Sequence, residues 1–166
     1  MTEITTIHQG KTIKYEGYTD FKKCWRLIRE LVEKRGYQYL EKEHNEVIKK
    51  EGKNIYFSID AEKPFSDYVK GRIEIEAHVN ALKEVTIQAN DETINCDECS
   101  LSITLKSSLV TDYEGRYHNE AWMFFLRAMT EKFIYGRELK KYRALIERDM
   151  NDVLAEAKKY LNLLGA

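Results

Sequence analysis

Residues 69–79 read VKGRIEIEAHV, and this segment carries the strongest structural signal in the chain. Apolar or small side chains occupy every second position, and charged or polar side chains occupy the positions between them. Successive side chains of a β-strand point to opposite faces of the sheet, so the alternation predicts a strand with one buried and one wet face. Such a strand is typical of an antiparallel sheet.

Segments before and after residues 69–79 in the sequence are predicted to add further strands to this sheet. Residues 54–60 and 100–113 alternate in the same way, and residues 11–18 and 37–48 also have the composition of strands. A short turn inside residues 84–95 predicts a further small hairpin. The sequence therefore predicts an antiparallel sheet of about six strands.

Helices are expected after the first strand and at the C-terminal end. Asp20 is a suitable N-cap for a helix that Gly36 would end, and Asn119 can cap a second helix. Residues 137–164 repeat apolar side chains at helical spacing and predict a third helix of roughly 40 Å. This helix is longer than a small sheet is wide, so we expect part of it to project or to pack on another chain. The fold class predicted is one α+β domain, residues 1–166, with helices covering the sheet.

Composition limits the classes of function. The chain has 166 residues with 27 basic and 28 acidic side chains, and its net charge of −1 gives no global attraction to nucleic acid. The three cysteines, the polar start of the chain and the absence of a long apolar run predict a cytoplasmic protein without a membrane span. Its eight isolated glycines form no phosphate-binding loop, and no nucleophile stands in a triad or elbow context. We expect no cofactor and favour a protein that is not an enzyme.

Cys96 and Cys99 form the one short motif with a chemical interpretation. Two thiolates at this spacing in a tight turn can hold a zinc ion, but a structural zinc site needs four ligands. A redox pair is the other reading, although such pairs usually stand at a helix N-terminus. Two thiols in a turn with neither function is the prediction that the sequence favours.

Two surfaces could bind a macromolecule. The first is the mixed-charge wet face around Lys70, Arg72, Glu74 and Glu76. The second is a basic segment with interleaved tyrosines, which could contact phosphates and stack on bases. Glu138 and Glu147 lie within this segment, so ion pairs on an ordinary solvated helix are the alternative reading. The candidate partner-binding residues of the second surface are Lys132, Tyr135, Arg137, Lys140, Lys141, Tyr142, Arg143 and Arg148.

Four segments resemble a group of small uncharacterised archaeal proteins. They are the run that begins with DFK at 20–22 and continues through Tyr37, SDYVK at 66–70, LVTDYEGRY at 109–117 and FLR at 125–127. The resemblance covers most of the chain and implies an archaeal source and a shared fold. The order of elements is also loosely similar to the helix-grip fold of Bet v 1 and START-like domains, which implies a sheet curled around a long C-terminal helix with an apolar cavity.

These observations predict a non-enzymatic interaction module, expected to be a homodimer. It would bind a macromolecule, either a protein or RNA and the ribosome, through the C-terminal helices or the exposed sheet face. The alternative is a carrier of a small apolar ligand or lipid, with a cavity between the sheet and the last helix. A carrier requires an enclosed void of several hundred Å³, whereas a binding module requires a filled core and an exposed patch.

Overall fold

The computed structural model describes residues 3–89, 92–113, 129 and 136–164, and the side chains of these residues except 87–89, 92–94 and 162–164. This part of the chain is an α+β structure with a five-stranded antiparallel sheet and two helices. The strand order is β1-β5-β4-β3-β2, so β4 lies in the centre and β1 and β2 form the edges. The elements are β1 (Glu3–Thr19), α1 (Phe21–Lys34), β2 (Gln38–Lys49), β3 (Gly52–Pro64), β4 (Val69–Ala89), β5 (Glu92–Thr111) and α2 (Gly136–Leu164).

Helix α1 begins and ends at the predicted signals. The side chain of Asp20 accepts a hydrogen bond from the backbone N–H of Lys23 at 2.9 Å, which satisfies one of the free donors of the first turn. Gly36 follows the last turn with φ of 81°, a left-handed conformation that glycine adopts without a steric penalty. The predicted N-cap and stop of this helix are confirmed.

The predicted number of strands is wrong, because the small hairpin at residues 84–95 is not separate. It is the outer end of β4 and β5, which run without interruption. The register of β4 against β5 shifts between Asn80 and Lys83, and Ala81 has a positive φ of 53°. This β-bulge inserts one extra residue and reverses which side chains face the core. The change of phase made one long strand resemble two short ones.

Helix α2 covers the inner face of the sheet. Its inward side chains are buried over five successive turns, at Ile146, Met150, Val153, Ala157 and Leu161. They meet buried side chains of the central strands, such as Ile73 and Ile103, and of α1, such as Ile28.

The predicted C-terminal helix is confirmed, and its buried side chains lie between Ile146 and Leu161. That part of it projects or packs on another chain stays a prediction. The helix predicted from Asn119 falls outside the described residues.

Gly71 fixes how closely α2 approaches the sheet. A Cβ atom at this position would lie 2.8 Å from Cδ1 of Ile146 and 2.9 Å from Cε2 of Phe65. Both distances are shorter than van der Waals contact, so any larger residue would displace these neighbours. Because Gly71 has no side chain, the side chain of Ile146 can occupy the space above this position of β4.

Neither α1 nor α2, within the residues described, contains an apolar stretch that could cross a lipid bilayer.

Candidate nucleic-acid interface

Opposite its buried side, α2 carries a row of exposed cations. Positions three, four, seven and eleven residues apart lie on one side of an α-helix, so the row follows directly from the sequence spacing. It extends over 22 residues, or about 33 Å. Two exposed alanines, Ala144 and Ala155, lie in the same row. We call this surface the basic face of α2, and it consists of Arg137, Lys140, Lys141, Arg148, Lys158 and Lys159, all exposed.

On one side of α2, an acidic residue of the helix is used to attach it to β1. His8 donates a hydrogen bond through Nε2 to Oε1 of Glu147 at 2.9 Å, which lowers the pKa of that carboxyl group. Four residues after Glu147, Asn151 accepts a hydrogen bond from Lys11 Nζ at 2.7 Å. Glu147 therefore binds the body of the protein, although Arg143 stands one turn before it.

On the other side, two more acidic residues bind the segment between α1 and β2. Asp149 is buried and accepts a hydrogen bond from the hydroxyl of Tyr37 at 3.1 Å. Burial, followed by the nearby charge of Asp149, raises the pKa of Tyr37 and keeps its hydroxyl protonated. Asp152 accepts a hydrogen bond from Arg35 at 3.3 Å, and Arg35 also lies 3.7 Å from Asp149.

The cations of the basic face keep no such partners. In the residues that the structure describes, none of the six forms an ion pair with a carboxylate. The remaining acids of α2, Glu138 and Glu156, are exposed and lie on one flank of the row. Because Glu147, Asp149 and Asp152 bind the body, the outward charge of the helix is mainly positive.

The structure divides the predicted basic segment into distinct sets. Arg137, Lys140, Lys141, Arg143 and Arg148 are exposed, and all except Arg143 belong to the basic face. Tyr142 is half-buried and stacks on Phe65, with ring centroids 4.6 Å apart and planes inclined by 2°. Its ring is thus part of the packing between helix and loop. Lys132 and Tyr135 lie outside the described residues.

Sequence reasoning missed Lys158 and Lys159, which extend the basic face by three turns. The signal was present, since both continue the helical spacing that starts at Arg137 and passes through Arg148 and Ala155.

The outer face of the sheet, the other predicted surface, has its charges paired. The carboxylate of Glu62 forms salt bridges with Lys70 Nζ and Arg72 Nη2, each at 2.7 Å. Lys106 Nζ lies 2.6 Å from Oε1 of Glu76. Burial alone would raise the pKa of Glu62, but the hydrogen bonds from the two cations outweigh it and lower that pKa. Cross-strand pairing of opposite charges stabilises the sheet and leaves little charge for a partner.

Cys96 and Cys99 do not stand in a turn, and that part of the prediction is wrong. Both lie inside the continuous strand β5, where residues three apart face opposite sides with Cα atoms about 10 Å apart. This separation exceeds the distance of about 4–7 Å that a disulfide usually requires. Burial also raises the pKa of Cys99 to about 11, so its thiol is protonated at neutral pH.

A groove of about 460 Å³ lies beside Cys96, between the start of α1 and the outer end of β4 and β5. Its lining includes Asp20, Glu84 and Asp97. Burial, followed by the charges of the other two carboxylates, raises the pKa of Asp97. Over the residues described, no group of three or more histidine, cysteine or carboxylate side chains is arranged to hold a metal ion.

No protein-family model matches this chain, and no curated protein is significantly similar to it. The resemblances to the archaeal group and to the helix-grip fold stay predictions.

Proposed function

We propose that this protein is a non-enzymatic binding module that contacts the phosphate backbone of RNA through the basic face of α2. The observation that carries the proposal is the row of six exposed cations without an ion-pair partner among the described residues. A polyanion that neutralises such cations releases its condensed counterions, which is the main source of affinity in sequence-independent binding.

The net charge of −1 is compatible with this proposal because the charges are segregated. Three acidic residues of α2 bind Tyr37, Arg35 and His8, and acidic side chains of the sheet such as Glu62 are paired with its lysines and arginines. A local potential depends on which charges remain free at the surface, and the total charge of the chain does not determine it.

The packing of α2 supports a binding surface more than a ligand cavity. The side chains of Ile146, Met150 and Val153 are fully buried against the sheet, which is the filled core that a binding module requires. We therefore propose the macromolecule-binding reading over the apolar carrier. A homodimer and a cytoplasmic location remain predictions from the sequence.

Reversing two charges of the basic face tests the proposal. We expect the double variant Lys140→Glu/Lys141→Glu to bind fluorescein-labelled RNA at least about tenfold more weakly in fluorescence anisotropy. The slope of log K against log salt should become shallower by about 2, one for each lost phosphate contact.

The matched control is Lys49→Glu/Lys50→Glu, which makes the same charge change at two exposed positions, the last residue of β2 and the first residue of the turn after it. It should alter RNA affinity by less than about twofold, since long-range charge effects are screened beyond about 10 Å. Equal losses in both variants, an unchanged affinity and slope in the first, or no RNA binding by the wild-type chain would refute the proposal.

A further inference from the structure

The spacing of cations on the basic face points to a more specific ligand. We infer that α2 binds double-helical RNA across a groove and recognises its backbone without contacting the bases. This inference rests on the proposed function and specifies the form of nucleic acid that the same surface accepts.

The cations are arranged in three sets along the helix axis. Arg137, Lys140 and Lys141 form the first set, Arg148 stands alone, and Lys158 and Lys159 form the last set. Neighbouring sets are separated by nine to ten residues on average, or about 14 Å along the axis. The phosphate rows that border the grooves of a B-form duplex are separated by about 6 and about 12 Å, and an A-form RNA helix also has one wide, shallow groove, the minor groove. Flexible lysine and arginine side chains can bridge the difference, so successive sets can reach successive phosphate rows.

Small side chains fill the intervals between the charged sets. Ala144 and Ala155 point outward in the same row and are both exposed. A methyl group allows the helix backbone to approach a curved duplex surface closely, whereas a long side chain would hold it away. The separation of the charged sets along the helix favours a rigid ligand with separated rows of negative charge.

Single-stranded RNA requires a different surface. Sequence-tolerant binding of single strands normally uses aromatic side chains as platforms on which bases stack. The aromatic side chains of α2 that the structure describes are engaged elsewhere: Tyr142 stacks on Phe65, and the Tyr160 hydroxyl donates to the carbonyl of Asp20 at 3.4 Å. The basic face itself presents amines and guanidinium groups, which bind phosphates and have no stacking partner among the described residues of the row.

The experiment measures anisotropy of the full chain with two 24-base-pair RNA duplexes of unrelated sequence, a DNA duplex and an unstructured RNA strand. We expect the two RNA duplexes to bind within about threefold of each other, and the single strand at least about tenfold more weakly. Neutralisation of up to six phosphates predicts a slope of log K against log salt near −5.

Arg148→Ala should make the slope shallower by about 1 on the duplexes, because it removes the central phosphate contact. Arg26→Ala, an exposed arginine of α1, is the control and should leave the slope unchanged. A DNA duplex that binds within a few-fold of RNA supports recognition of the backbone.

Two results would overturn the inference and leave the proposed function standing. One is a single strand that binds as tightly as the duplexes, and the other is a difference of more than about tenfold between the two duplex sequences, which would show base readout. Failure to bind any of the four ligands would instead refute the proposed function itself.

Discussion

The outer face of the sheet and the basic face of α2 both carry dense charge, but they use it in opposite ways. On the sheet, Lys70 and Arg72 lie beside Glu62 and neutralise it across neighbouring strands. On the helix, cations such as Lys140 and Arg148 are exposed and have no carboxylate partner among the described residues. Two surfaces of similar composition can therefore differ completely in the charge that they offer to a partner.

The difference also separates stability from binding. A paired and partly buried charge contributes to folding, because its removal leaves a desolvated partner without compensation. An exposed and unpaired charge contributes little to folding and is available for a ligand. We expect substitutions on the paired face to lower stability and substitutions on the unpaired face to weaken binding.

The strongest test compares two adjacent residues of α2. Ile146 is fully buried beside Gly71, whereas the neighbouring Leu145 is 38% exposed. We expect Ile146→Ala to lower the free energy of unfolding by about 2–5 kcal/mol, because it removes a buried side chain and leaves a cavity. Leu145→Ala should cost less than about 1 kcal/mol. Urea denaturation measures both, and equal losses would show that the inner and outer sides of α2 are assigned wrongly.

The next test compares an arginine of the sheet with an arginine of the basic face. Arg72→Ala should lower the free energy of unfolding by about 1–3 kcal/mol, since Glu62 and the buried Asp60 lose a cation. Arg148→Ala should change it by less than about 0.5 kcal/mol. RNA affinity should show the reverse order, with a loss only for Arg148→Ala. If one variant lost both properties, the division between a structural and a binding surface would fail.

The smallest effect concerns the acid sensitivity of the sheet. The pKa of Glu62 is lowered in the folded state, so its ionised form stabilises the fold above its ordinary pKa, and this contribution disappears as the pH falls through the folded pKa. Glu62→Gln should therefore be less stable than the wild type at pH 6, and the difference should shrink below about pH 4.

Thermal denaturation at a series of pH values measures this convergence. Glu138→Gln, which removes an exposed carboxylate of α2, is the matched control and should change stability by less than about 0.5 kcal/mol at pH 7. A constant difference between Glu62→Gln and the wild type from pH 6 to pH 3 would mean that ionisation of Glu62 does not stabilise the sheet.

Local signals predicted much of the architecture. Alternation in residues 69–79 gave the central strand, Asp20 and Gly36 marked the ends of α1, and helical spacing identified α2. These features depend on neighbours within a few positions, where backbone geometry sets the period of burial. The strand count failed where one inserted residue near Ala81 changed that period without a local marker.

The candidate site was also only partly predictable from the sequence. Its exposed cations follow from helical spacing alone, and continued spacing would have added Lys158 and Lys159. The sequence could not show which charges are neutralised, because Glu147 meets His8 across 139 positions and Asp149 meets Tyr37 across 112. Periodicity thus determined which side of α2 faces water. The tertiary structure alone decided that Glu147, Asp149 and Asp152 bind the body of the protein and that the cations of the basic face form no ion pair among the described residues. Ion pairing depends on distances in space that residue spacing does not encode.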